Sequence, residues 1–324
     1  MITATTSNAS ETTARAVAFV AARRDPAESL GVALAELSND PDGFATALTT
    51  GLATLADPEY LAGQRRIAPG IGAIHGVRWP LLAAVGRGFR NATKGDRPTP
   101  LLFIADRLFR ERELEARWFA FGLLERTLAV ETERTWQLLR RAAREAGDWI
   151  TVDSLAHPYG KGIAAEPYRW AELEQLVYSP SRWERRLIGS TIATMTHVDR
   201  SRGRDPDVAV HALPLLESLM GDAEPDVQKA LSWAYRSLIV VDRAATEGAL
   251  RAETERAAAT ADGHRAWVIR DTLPKLDPGT ADEFRARLAG IRKRPGAPAT
   301  SAAAETVARF GEVPDPIRHP EPPL

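Results

Sequence analysis

The chain has 324 residues, of which 44% are hydrophobic and 26% charged, enough to bury a substantial core and too apolar for disorder to be the default. It has no cysteine, which excludes disulfides, thiolate chemistry and Cys-ligated zinc. The formal net charge of −1 hides an uneven distribution: residues 1–59 carry three Arg against eight acids, and residues 60–145 carry sixteen Lys or Arg against nine. That basic stretch has two readings, a positive face for a polyanion or a solvated helix surface laced with ion pairs.

Residues 1–13 are polar and lack the apolar run of a signal peptide, so a flexible tail is expected there. No apolar stretch approaches the roughly 18 residues of a membrane span, so no membrane partner is expected. With no cysteine, a reducing cytoplasm is the expected compartment, in association with the nucleoid if the chain is bacterial. Phe44, Ala47, Leu48, Gly51, Leu52 and Leu55 recur at three- and four-residue spacing and predict a helix. Three later segments, 101–128, 171–195 and 212–239, look like versions of one unit. Each has an apolar helix, a short polar turn and a second helix with a basic residue in its early turns. Ser179-Pro180 predicts a helix start with Ser as N-cap and Pro at the first helical position, and Glu224-Pro225-Asp226 plays a similar role. Alternating strands with hairpin turns are absent, so the fold is expected to be all-α. From Arg186 to Lys229 is 43 residues, within the range of paired-helix repeats. Such units stack into a curved solenoid, the expected architecture over residues 14–291, with a globular helical bundle as the competing one. Residues 292–324 are Pro- and Ala-rich without a periodic apolar face and are expected to be disordered or loosely docked.

The faces of the helices point to candidate ligand contacts. After Pro225, residues Val227, Ala230, Leu231, Ala234, Leu238 and Val241 form one apolar stripe, while Lys229, Trp233 and Arg236 cluster opposite it. Trp233 is read either as a ligand contact or as packing against a neighbouring repeat. In the preceding unit, Leu187, Ile188, Thr191, Ile192 and Met195 form the core stripe. Arg186, Ser190 and His197 lie on the other face, and Arg185 on the flank suits a surface ion pair. Trp149 and Asp153 stand four residues apart, so on a helix an indole and a carboxylate share one face. That pair suits a flat cationic group. His157-Pro158 is expected to end this helix, with Tyr159-Gly160-Lys161-Gly162 as a turn whose amides and Lys161 meet a phosphate. The six His residues show no metal-binding spacing and Gly70-Ile71-Gly72 follows no strand, so neither a metal nor a nucleotide cofactor is expected.

Five of these segments, in order, resemble the AlkD-like DNA alkylation repair glycosylases. Gly76-Val77-Arg78-Trp79-Pro80-Leu81-Leu82 is similar to that family's Gly-(Val/Ile)-Arg-x-Pro-x-Leu motif, and residues 108–117 to its next helix pair. Trp149-x-x-x-Asp153 matches its catalytic Trp and Asp. Trp183-Glu184-Arg185-Arg186 resembles its Trp-x-Arg-Arg motif, and residues 226–233 the segment carrying its second active-site Trp. The resemblance covers roughly residues 60–280. It implies a HEAT-like solenoid whose concave face cups duplex DNA and hydrolyses the N-glycosidic bond of cationic N3- or N7-alkylated purines without obligatory base flipping. It also implies Asp153 as catalytic carboxylate, with Trp149 and Trp233 at the lesion and Arg186, Lys229, Arg236, Arg78 and Lys161 on the DNA. A monomer without cofactor is expected. The alternative is a non-catalytic helical-repeat module that binds DNA or a protein.

Overall fold

The computed structural model describes residues 3–195, 205 and 207–309. Among them the chain folds as an all-α helical repeat of sixteen α-helices, with no strand beyond one isolated bridge between Ala56 and Val77. It divides into two compact units, Met1–Leu139 and Arg140–Leu324. The first holds α1 (Thr3–Ala35), α2 (Pro41–Thr54), α3 (Pro58–Ile67), α4 (Trp79–Ala92), α5 (Pro100–Leu108) and α6 (Leu114–Thr127). Helix α7 (Thr132–Glu145) spans the division. The second holds α8 (Trp149–Ala165), α9 (Trp170–Val177), α10 (Arg182–Met195), α11 (Asp207–Leu219), α12 (Pro225–Leu238), α13 (Arg243–Thr260), α14 (Gly263–Thr272), α15 (Pro278–Arg287) and α16 (Ala302–Arg309).

Aspartates set many of the helix starts. Asp40, Asp57, Asp148, Asp242 and Asp262 each precede a helix and accept a hydrogen bond from a backbone N–H of its first turn, satisfying donors that the helix itself leaves unpaired. Helix α10 starts at Arg182, later than its sequence signal. The Ser181 carbonyl takes the first helical bond, and the Ser179 hydroxyl instead accepts from Ser181 N.

In the first unit α1 begins at Thr3, within the segment read from sequence as a tail. It lies against α4 with backbone almost touching backbone: a Cβ on Gly31 would stand 2.0 Å from the Val85 carbonyl oxygen, and one on Gly88 2.2 Å from that of Glu28. Phe44, Phe89 and Phe119 form the aromatic centre of this unit, with Phe44 and Phe89 edge to face at 5.4 Å. The buried Glu115 carboxylate of α6 accepts from the backbone N–H groups of His75, Gly76 and Val77, which pins the loop entering α4. Part of the basic stretch is laced with ion pairs, among them Arg87 to Glu28, Arg107 to Asp42 and Glu111, and Arg110 to Asp106.

In the second unit the later helices of successive pairs form a row, α8 on α10, α10 on α12 and α12 on α14, backed by α9, α11 and α13. Helices α10 and α12 are both 14 residues long and start at Arg182 and Pro225, the 43-residue period of the sequence. Gly189 marks their closest approach, since a Cβ there would stand 2.7 Å from the Ala230 carbonyl carbon. Helix α8 does not end at His157-Pro158; it continues to Ala165 and makes Lys161 helical. Pro158 leaves the Ser154 carbonyl without its helical partner. Packing outweighs this loss, because Pro158, Tyr159, Gly160, Gly162 and Ile163 are all buried and Gly160 faces Met195 and Thr191 of α10. The segment after residue 291 differs from a loose tail as far as Arg309. Lys293 Nζ donates to Gln228 Oε1 at 2.9 Å, Thr300 N donates to the Gly221 carbonyl at 2.9 Å, and α16 packs on α11 with Ser301 and Ala303 buried. Side-chain and backbone hydrogen bonds dock a segment that lacks an apolar periodicity. No described helix is long and apolar enough to cross a membrane.

Candidate active site

Asp148 caps α8: its Oδ1 accepts from Thr151 N at 2.9 Å and its Oδ2 from the Thr151 hydroxyl at 2.7 Å. The cap makes Trp149 the first helical residue and puts Asp153 one turn further along the same face. Both side chains are half-buried. Across the α8–α10 contact stand Arg186 and Ser190, also one turn apart. Arg186 donates from Nε to Asp153 Oδ1 at 3.1 Å and from Nη2 to Oδ2 at 2.8 Å, and the Ser190 hydroxyl donates to Oδ1 at 2.7 Å. Arg186 Nη1 reaches the Asp226 carbonyl of α12 at 2.7 Å. One guanidinium therefore ties three helices of the row together, and it lies 5.9 Å from the centre of the Trp149 ring.

This geometry orients the carboxylate. The Arg186 side chain is 6% exposed, so its charge requires a partner, and the forked contact supplies one in the geometry that guanidinium and carboxylate share. The Asp153 side chain is 21% exposed, which leaves its outer edge accessible. Oδ1 takes two donors and Oδ2 one, so Oδ2 keeps acceptor capacity toward a ligand on the open side. An oriented anion beside an indole face is suited to a cationic centre.

Arg186, expected on a phosphate, instead faces inward and is occupied by Asp153 and Asp226. The reason is the close α8–α10 contact, which removes this position from solvent and makes an ion pair obligatory. Ser190 was read as lying off the core stripe; the same contact buries it. Its hydrogen bond to Asp153 was missed because a serine on a helix carries no sequence signal of its own. On α12, Lys229 is exposed and Trp233 and Arg236 are half-buried, while Val227, Ala230, Leu231, Ala234 and Leu238 are buried as the wheel predicts; Val241, expected on the same stripe, lies past the end of the helix and is half-buried. Trp233 thus keeps part of its surface open to solvent. Arg236 pairs with Asp271 of α14. Lys161 is half-buried on α8, two turns beyond Asp153. Arg78 lies in the first unit at the start of α4, where Nε meets Asp57 Oδ2 at 2.6 Å and the guanidinium lies 5.0 Å from the Tyr60 ring. Arg185 forms its ion pair with Asp222 at 2.7 Å. His197 lies outside the described residues. Among those described, no three His, Asp or Glu residues gather as a metal site would need.

Residues 48–264, about two thirds of the chain, match the family model described as DNA alkylation repair enzyme. The match includes Trp149, Asp153, Arg186, Ser190 and Trp233 and ends two residues into α14. No curated protein matches the chain.

Proposed function

The chain belongs to the DNA alkylation repair enzyme family, and from that premise we propose that it is a monofunctional glycosylase acting on cationic N3- or N7-alkylated purines in duplex DNA. What supports the reading above all is Asp153, a carboxylate held by Arg186 and Ser190 and partly open to solvent, one helical turn from Trp149.

An N-alkylated purine already carries a positive charge, so it departs without protonation and the site needs no strong general acid. As the glycosidic bond lengthens, positive charge develops on the deoxyribose. A fixed carboxylate lowers the energy of that charge most at the transition state, the condition for raising the rate and not only the affinity. Asp153 is the more exposed of the pair, so a sugar that approaches from solvent meets the anion first and its attraction exceeds repulsion from the guanidinium behind it. Oδ2 then accepts a proton from the water that attacks the sugar carbon. Trp149 and Trp233 offer π faces to the same charge. Lys229 stands exposed and holds a phosphate. The leaving base need not enter a pocket, so the reaction proceeds with the lesion still in the duplex.

The test is product analysis on methylated duplex DNA. The reading predicts free N3- or N7-methylpurine and an abasic site in an uncut strand. Binding without base release would instead indicate a non-catalytic DNA-binding module, and strand cleavage at the lesion would contradict the monofunctional assignment.

A further inference from the structure

The arrangement around Asp153 occurs a second time in the same row of helices. Trp267 and Asp271 stand four residues apart on α14, as Trp149 and Asp153 do on α8. Across the α12–α14 contact, the Ser232 hydroxyl donates to Asp271 Oδ2 at 2.6 Å. Arg236 Nη1 pairs with the same oxygen and reaches the Asp271 carbonyl at 2.9 Å. Each site thus has an indole and a carboxylate on one helix, and a serine and an arginine one turn apart on the next. The two central helices, α10 and α12, supply the donors, and the two flanking ones, α8 and α14, supply the acids.

The second site is the more open. The Asp271 side chain is 42% exposed against 21% for Asp153, and that of Arg236 28% against 6% for Arg186. Trp267 is half-buried. Among the described residues Asp271 Oδ1 has no hydrogen-bond partner, whereas Oδ2 takes two donors. A structural ion pair has no need of an oriented carboxylate with one free oxygen next to a partly exposed indole. Asp271 and Trp267 also lie beyond residue 264, outside the family match.

We propose that Trp267 and Asp271, braced by Ser232 and Arg236, form a second binding site for a planar organic cation of the N-alkylated purine class. The site binds the ring against the Trp267 indole and its positive charge or N–H groups at Asp271 Oδ1. The α12–α14 contact that holds it lies two interhelix steps along the row from the α8–α10 contact that holds Asp153, roughly 16–20 Å at ordinary packing distances, too far for one nucleotide to fill both. The ligand class rests on the reading of Asp153 given above; the geometry of the second site does not.

The test is calorimetric titration of the whole chain with 7-methylguanosine, under mildly acidic conditions that keep the base fully cationic, with neutral guanosine as control. Wild type is expected to bind two equivalents of 7-methylguanosine and no guanosine. Asp271→Asn and Trp267→Leu should each weaken one of the two sites by about tenfold or more, the scale of a charge-assisted hydrogen bond, and Trp267→Phe should restore it. Titrations of Asp271→Asn and Trp267→Leu that match wild type would overturn the proposal, as would equal binding of guanosine. Base release by Asp153→Asn is a separate readout. If that variant stays fully active, the catalytic reading fails while the titration still decides the second site.

Discussion

Asp153 and Arg186 depend on each other. Arg186→Met removes the partner of a partly buried carboxylate and is expected to destabilise the chain by about 2–4 kcal/mol, near the lower part of the range for broken buried pairs because Asp153 keeps some solvent contact. Urea unfolding with an unchanged m-value would measure it. Ser190→Ala leaves the ion pair and removes one hydrogen bond, so a loss near 1 kcal/mol in stability is expected, with base release slowed several-fold because Oδ1 is less firmly held. Lys229→Ala removes an exposed charge. Stability should change by less than about 0.5 kcal/mol, while DNA binding weakens at every sequence and the slope of log K against log salt falls by about one. Binding by Lys229→Ala with the wild-type salt slope would take this residue off the DNA. The sequence made Trp149, Asp153 and Lys229 legible because helical spacing alone places them. The inward turn of Arg186 was not legible: a wheel shows which side of a helix faces away from its own core, not whether the next helix covers that side.

At the scale of elements, glycines decide how near the helices of the row come. A Cβ on Gly189 would meet backbone atoms of Ala230, which cannot move without shifting α12. A Cβ on Gly160 would meet the Met195 side chain, which has other rotamers. Gly189→Ala is therefore expected to cost about 1–3 kcal/mol and to slow base release by displacing Arg186, whereas Gly160→Ala should cost clearly less. Thermal unfolding of the two variants compares them directly, and equal costs would remove Gly189 as the spacer. The helix pairs at 101–128, 171–195 and 212–239 were readable from apolar periodicity, helped by start signals close to the beginnings of α10 and α12. The continuation of α8 through Pro158 was not, because tertiary packing against α10 outweighed a strong local breaker. The docked run up to Arg309 was hidden for a related reason: its anchors, Thr300 and Lys293, bond to groups on other helices and leave no periodic trace.

Over the whole molecule, acid sensitivity follows from carboxylates held in their charged form. Burial pushes the Asp262 carboxyl up, but hydrogen bonds from Thr300 and Arg265 outweigh it, and its pKa lies below the ordinary value. Asp57 behaves alike: burial raises it, and Arg78 with the N–H groups of Tyr60 and Glu59 brings it below the ordinary value. For such groups the unfolded chain binds protons at higher pH than the folded one. Their contribution is complete above the ordinary carboxylate pKa of about 4 and is lost as pH falls through the lowered folded values. Stability should therefore be flat on the neutral side and decline in acid, and Asp262→Asn should flatten that decline; an unfolding midpoint that stays level as the solution is acidified would contradict this. The all-α repeat and its 43-residue period were visible in the sequence, as was the family. The division after Leu139 was not, since α7 continues the helical pattern across it.

The measurement that bears most directly on the central claim is single-turnover release of N7-methylguanine from a duplex carrying one such lesion, comparing wild type with Asp153→Asn at saturating protein. The account predicts a loss of at least about tenfold, ~1.4 kcal/mol of barrier, with duplex binding unchanged. Equal release rates would remove Asp153 from the chemistry and contradict it.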